Sequence, residues 1–175
     1  MNKINGLLLR EAIVSDLLIL KEFEQSLIEY ERPFAPNLKE GFISYYDIQK
    51  FIEDPDSFLL VGLLNGEIVS SGYAQIRKSA SYKTPEQFVY LGFMYVNPIH
   101  RGKGINGELI KELITWAHNK DIHEIQLDVY AENKSALNAY EKLGFKPDLL
   151  KMRLYKGFDP LNKTNLIMYS INKLN

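Results

Sequence analysis

Val96-Asn97-Pro98-Ile99-His100-Arg101-Gly102-Lys103-Gly104-Ile105-Asn106-Gly107-Glu108 is the stretch that decides how this chain reads. An apolar, aromatic run from Phe88 to Val96 stops at Asn97-Pro98, and a basic, glycine-rich turn follows. Then Ile105, Leu109, Ile110, Leu113, Ile114 and Ala117 recur at helical spacing. A strand feeding a glycine-rich turn that opens a helix suits an anion. The first N–H groups of a helix lack internal partners, and the helix dipole favours negative charge there. Glycines let the backbone close on a ligand without a Cβ in the way. The stretch therefore reads as a pyrophosphate cradle.

Upstream, Leu7 to Arg10 reads as a strand, and Ser15-Asp16 as the cap of a helix carrying Leu17, Leu20, Phe23, Leu27 and Ile28 on one face. That helix must fail near Glu31-Arg32-Pro33, because proline disfavours helix at the residue before it. Tyr45 to Glu53 reads as a second helix. Phe58–Leu64, Asn65-Gly66 and Glu67–Arg77 form a hairpin signal, Asn-Gly fitting a type I′ turn. Downstream, Glu124 to Tyr130 alternates as a strand, and Asn133 caps a helix over Lys134–Leu143 that Gly144 closes. Phe145–Pro147 and Leu149–Tyr155 read as short strands, and Leu166–Ile171 as a strand or an arm packed on a partner. The order β-α-α-β-β-β-α-β-α-β-β predicts one mixed α/β domain, mostly antiparallel, with the helix after the glycines crossing over to a parallel strand. Residues 1–155 are expected to form that domain and 156–175 an extension, a candidate for homodimer contacts.

Composition excludes several classes of function. At 175 residues with 46% hydrophobic and 25% charged residues, the chain suits one globular domain. A net charge of -1 argues against nucleic acid or anionic membrane as the main partner. No apolar run approaches the roughly 20 residues that span a bilayer, and no secretory signal opens the chain, so the expected location is cytoplasmic. With no cysteine there is no thiolate metal site or cysteine nucleophile, and His100, His118 and His123 lack metal-ligand spacing, so no metal is expected.

Three readings of the cradle compete. Gly102-x-Gly104-x-x-Gly107 matches a dinucleotide fingerprint, with Asp128 where a ribose-binding acid would sit. Against it, five residues separate Val96 from Gly102, and fewer than 70 follow Gly107, too few for the further βα units needed. A Walker loop fails because neither Ser nor Thr follows Lys103. In the third reading a second motif follows downstream, Asn133-x-x-Ala136-x-x-x-Tyr140-x-x-x-Gly144-Phe145. Together with Arg101-Gly102-Lys103-Gly104-Ile105-Asn106, it resembles the GNAT family of acetyl-CoA-dependent N-acetyltransferases, whose loop has the form Arg/Gln-x-x-Gly-x-Gly/Ala. The resemblance runs from Leu8 to about Leu154 and departs at Asn106, where the family prefers Gly or Ala.

That resemblance implies a GNAT-type fold with a splayed parallel strand pair and acetyl-CoA as cosubstrate. It also implies a small-molecule or peptide primary amine as acceptor. By it, the backbone of Arg101, Gly102, Lys103, Gly104, Ile105, Asn106 and Gly107 holds the diphosphate. Met94 and Val96 pair with the pantetheine arm, and an N–H near Tyr95 or Val96 polarises the thioester. Asn133 has a role near the coenzyme beside its service as a helix cap. Tyr140 is implied as the general acid at the departing thiolate. The base is less determined. Glu31, in the Glu29-Tyr30-Glu31-Arg32 segment where the family builds its acceptor pocket, leads, with a water chain or an already neutral amine as alternatives. The missing cysteine favours direct attack in a ternary complex. The other class consistent with the cradle is an acetyl-CoA-binding regulatory module without turnover.

Overall fold

The computed structural model describes residues 4–154. Five strands form one sheet in chain order: β1 (Leu7–Glu11), β2 (Ser57–Leu64), β3 (Glu67–Lys78), β4 (Gln87–Val96) and β5 (Ile125–Leu127). The first four pair antiparallel and β4 pairs with β5 parallel. Helices α1 (Leu17–Glu31), α2 (Ile48–Glu53), α3 (Ile105–Asn119) and α4 (Lys134–Glu141) complete the set. Contacts divide the chain after Gly144. All these elements lie in the first unit, and residues 145–154 of the second have no regular structure.

Each element follows from its sequence. Asn65 and Gly66 take φ of 52° and 86°, the paired positive angles a type I′ turn requires. α1 buries Leu20, Phe23, Leu27 and Ile28 and α3 buries Ile105, Leu109, Ile110, Leu113 and Ala117. A fully buried Leu or Ile contributes roughly 1.5–3 kcal/mol, so these two stripes supply much of the fold's stability. Asp16 precedes α1, with Arg10 donating to its two oxygens at 2.7 and 3.0 Å and the Ile13 N–H at 2.9 Å. The Arg10 hydrogen bond is the main reason its carboxyl is held below the usual range, so this stabilisation is present above the unfolded pKa and lost as pH falls through the folded one.

Three expectations are corrected. The second helix begins at Ile48 rather than Tyr45, because the Asp47 side chain accepts the Lys50 N–H and caps it there. The strand expected over Glu124–Tyr130 is only Ile125–Leu127. The strands expected at Phe145–Pro147 and Leu149–Tyr155 do not form within the described residues, where Leu149, Leu150, Met152 and Leu154 are exposed. Alternating apolar residues need a paired edge and a covered face to become a strand, and neither is encoded locally. Tyr155, Leu166–Ile171 and the extension proposed for dimer contacts lie outside the described residues.

Candidate active site

β4 holds the device that shapes the site. Val89 donates to Glu124 O at 2.9 Å, on the β5 side, whereas Asn97 donates to Val69 O at 2.8 Å, on the β3 side. Strict alternation would send both the same way. A bulge at Phe93, whose φ is 54°, shifts the parity between them. Pairing with β5 ends at Leu91↔Leu127, so beyond it this edge of β4 is open. The shifted parity turns the backbone groups of Met94 and Val96 to that open edge. Tyr95 turns toward β3 opposite Ser71, its ring buried with its centroid 4.5 Å from that of Phe23. Gly92 lets the Tyr73 ring close on the bulge, for a Cβ there would lie 2.6 Å from it. An isolated glycine within a strand pattern is the signal that would have announced the bulge.

The glycine turn follows directly. Gly102 and Gly104 take φ of 74° and 84°, and Gly104 is the N-cap of α3. The first helix amide to find a backbone acceptor is Glu108, on Gly104 O at 3.2 Å, which leaves Ile105, Asn106 and Gly107 with N–H groups facing outward. Arg101 does more than carry charge, since its Nε donates to Val96 O at 3.0 Å and its guanidinium lies 4.7 Å from the Tyr30 ring centre. Lys103 is exposed, its Nζ 3.4 Å from His100 Nδ1. Asn106 leaves its Oδ1 buried without a partner. Free amides at a dipole's positive end, followed by an open strand edge, fit a diphosphate with an extended arm.

The remaining candidates gather elsewhere. Asn133 is buried and caps α4, accepting the Ala136 N–H at 3.2 Å. On the same helix, burial pushes the Tyr140 phenol up to about 12, with the charge of Glu31 adding to the shift. Burial likewise raises the Glu31 carboxyl, the Tyr45 hydroxyl pulling part of the way back. Tyr45 Oη is buried without strict hydrogen-bond geometry to any partner, yet it lies near enough to Glu31 and Tyr130 that both, after burial, raise its pKa. Tyr46, also raised mainly by burial, has its ring centre 5.1 Å from that of Phe93 and feels Glu31 and the Phe93 N–H. The structure therefore brings Glu31 and Tyr140 into one aromatic cluster with Tyr45, Tyr46 and Tyr130. Tyr130, whose ring stacks on Phe34 at 6.3 Å, is the member that sequence reasoning missed. Glu29 pairs instead with Arg32 at 2.7 Å on the surface. Asp128, the would-be ribose acid, accepts from Tyr90 Oη at 3.1 Å. Among the described residues no cluster of three or more His, Cys, Asp or Glu is arranged to hold a metal, and no helix is long and apolar enough to cross a membrane.

Comparison with known proteins agrees with this geometry. The family model described as Acetyltransferase (GNAT) family matches residues 21–145. N-alpha-acetyltransferase 30 of Xenopus laevis is 30% identical over 141 residues, covering 80% of this chain and 50% of that protein. The chain spans about half the length, or less, of the curated relatives it matches. Among solved structures, the BH1408 tetramutant of Bacillus halodurans superposes with a TM-score of 0.76 at 21% identity, covering 85% of this chain and 99% of that one. A protein described as a predicted acetyltransferase from Clostridium acetobutylicum, crystallised with acetyl-CoA, gives 0.63 at 19% identity, covering 85% and 96%. At those identities the structures speak to the fold alone. Glycine turn, bulged β4, parallel β5 and a family match over well over half the chain lead to one assignment: the chain belongs to the GNAT acetyltransferase family.

Proposed function

We propose that this chain transfers an acetyl group from acetyl-CoA to a primary amine by direct attack in a ternary complex. The observation that carries the reading is the approach of a carboxylate and a phenol, Glu31 of α1 and Tyr140 of α4, whose charges influence one another in one half-buried cluster. Such a pair supplies a proton acceptor for the amine and a hydrogen-bond donor for the charge that builds on the leaving group. The Xenopus relative's name favours a peptide α-amine among the acceptors.

When bound, acetyl-CoA supplies the acetyl group as a thioester open to attack by amines. The amides of residues 102–107 hold the diphosphate, with Arg101 adding charge while its own N–H donates to Pro98 O at 3.3 Å, and Met94 and Val96 hold the arm through their backbone. One of their N–H groups donates to the carbonyl oxygen as negative charge builds there. Ionised Glu31 takes a proton from the entering ammonium, freeing the nitrogen lone pair for attack. As the C–S bond breaks, Tyr140 donates a hydrogen bond to the departing sulfur, which takes up the second proton released by the nitrogen. Asn133 fixes the start of α4 and so the position of Tyr140.

The test is thiol release from acetyl-CoA with a panel of amines: a tetrapeptide with a free N-terminus, a linear diamine and an aminoglycoside. Turnover with at least one amine, and intersecting double-reciprocal lines, are expected. Parallel lines would reject direct attack. Tight acetyl-CoA binding without turnover on any amine would turn the reading into that of a binding module.

A further inference from the structure

Glu24 has no part in the chemistry above. It sits on the buried face of α1 among Leu20, Phe23, Leu27 and Ile28, only 2% exposed, where helical spacing calls for an apolar side chain. Burying a carboxylate is costly unless fixed dipoles meet it. Here the dipoles come from one short segment. Tyr45 N–H donates to Glu24 Oε1 at 2.6 Å and Tyr46 N–H to the same oxygen at 2.8 Å. Ser44 Oγ lies 3.0 and 3.2 Å from the two carboxylate oxygens. Two successive amides converging on one oxygen form a backbone nest for an anion.

Attaching this segment to α1 does not require a buried charge. Gln25 Nε2 already donates to Ile43 O at 2.8 Å, and Arg32 donates to Lys39 O at 2.9 Å and Gly41 O at 2.8 Å. What Glu24 adds is a grip on the two residues whose rings enter the site. The Tyr45 hydroxyl is buried within the electrostatic influence of Glu31 and Tyr130, and Tyr46 packs against Phe93 at the bulge. The two rings stand edge to face, 5.8 Å apart at 87°. Fixing both amides fixes both rings relative to Glu31.

We propose that Glu24 is a positioning residue for the acceptor amine, holding Tyr45 and Tyr46 as the walls that present the amine to Glu31. This rests on the reading of Glu31 as the base in the amine site. Charge-assisted hydrogen bonds are about twice as strong as neutral ones, so Glu24→Gln keeps an acceptor oxygen but loosens the nest.

The experiment compares Glu24→Gln and Gln25→Leu with wild type, using the fastest amine of the panel above, acetyl-CoA calorimetry and amide hydrogen exchange. A shift of about 1 Å can cost up to about a hundredfold, so Glu24→Gln should raise the KM for the amine by about tenfold or more. Its acetyl-CoA affinity should stay within about twofold of wild type, since the cradle residues are untouched. The Tyr45 and Tyr46 amides should exchange faster. Gln25→Leu, which frees only Ile43 O, should leave the amine KM near the wild-type value. A Glu24→Gln protein that melts earlier and loses kcat with an unchanged amine KM would overturn the proposal, because Glu24 would then serve stability alone. If Glu24→Gln does not fold, Ser44→Ala must still raise the amine KM by about threefold, the loss of one modest hydrogen bond, and an unchanged KM rejects the idea. If Glu31→Gln leaves amine turnover intact, the base reading fails. If Glu31→Gln is damaged while Glu24→Gln leaves the amine KM unchanged, only the present inference fails. A wild-type protein that acetylates no amine overturns both.

Discussion

The two sides of the site are built in different ways. The donor side proposed above is a contiguous run, Met94 to Gly107, that offers backbone groups: an open strand edge, glycines at positive φ and the first amides of α3. The acceptor side proposed above is assembled from side chains far apart in the chain: Glu31, Tyr45 and Tyr46, Tyr130 and Tyr140. A backbone cradle tolerates side-chain exchange and fails when its dihedrals change. A side-chain pocket does the reverse. Substitutions should therefore separate into those that alter acetyl-CoA affinity and those that alter amine chemistry, and the following tests try to break that separation.

The largest effect is expected at Glu31. Glu31→Gln should lower kcat/KM for the amine by about a hundredfold to ten-thousandfold, the usual span for a lost base, with acetyl-CoA affinity unchanged. Because burial raises this carboxyl, the acid limb of the wild-type pH profile should lie above the ordinary carboxylate range of about 4.3 and vanish in the variant. The sign for stability is opposite to that at Asp16. A raised carboxyl pKa means the folded protein binds more protons, so the contribution of Glu31 is full below the unfolded pKa and is lost as pH rises through the folded one. At neutral pH Glu31→Gln should melt at a higher temperature than wild type while being nearly inactive. A variant that is both less stable and weaker for acetyl-CoA would place Glu31 outside the acceptor side.

Tyr140→Phe comes next. A phenol at about 12 stays protonated throughout the working range, and full transfer to a thiolate near 8.5 is uphill. Tyr140 therefore stabilises the departing sulfur by a hydrogen bond to developing charge, worth about 1.5–3 kcal/mol, and kcat should fall by about 10- to 150-fold. Stopped-flow thiol release under single turnover measures it, and an unchanged rate would return Tyr140 to a packing role.

On the donor side, Gly104→Ala tests the backbone. Space is open there, the nearest atom to a Cβ being Ile4 Cδ1 at 3.8 Å, so the cost is the φ of 84° and not a clash. Left-handed backbone costs a residue with a Cβ roughly 1–2 kcal/mol. Calorimetry should show acetyl-CoA binding weakened by about five- to thirtyfold, with the amine KM at saturating acetyl-CoA unchanged. Weakened amine binding with intact acetyl-CoA affinity would reverse the two sides.

The same contrast explains what could be read before the fold was known. The cradle, the hairpin and the α3 stripe were legible because each is encoded by neighbours: glycines at positive φ, Asn65-Gly66, and Ile105, Leu109, Leu113 at helical spacing. Glu31 and Tyr140 were legible as candidates, but their meeting was not, for 109 positions separate them and only the fold closes that distance. Tyr130 carried no local signal, and the parity shift at Phe93 was visible only as Gly92 in an apolar run. Where pairing depends on a remote edge, as for residues 145–154, alternation alone misled.

The smallest effect separates side chain from backbone within the cradle itself. Asn106 departs from the family pattern, and its Oδ1 is buried without a donor at the first turn of α3. An unsatisfied buried oxygen costs about 1–3 kcal/mol, and asparagine is also a poorer helix residue than alanine. If the cradle works through amides alone, Asn106→Ala removes a cost and no contact. The variant should gain about 1 kcal/mol in stability by denaturant unfolding, while acetyl-CoA affinity stays within about twofold. A tenfold loss of affinity with the same gain in stability would mean that Asn106 spends buried polarity to touch the ligand. The donor side would then rest on a side chain after all, at the position where the loop departs from the form Arg/Gln-x-x-Gly-x-Gly/Ala.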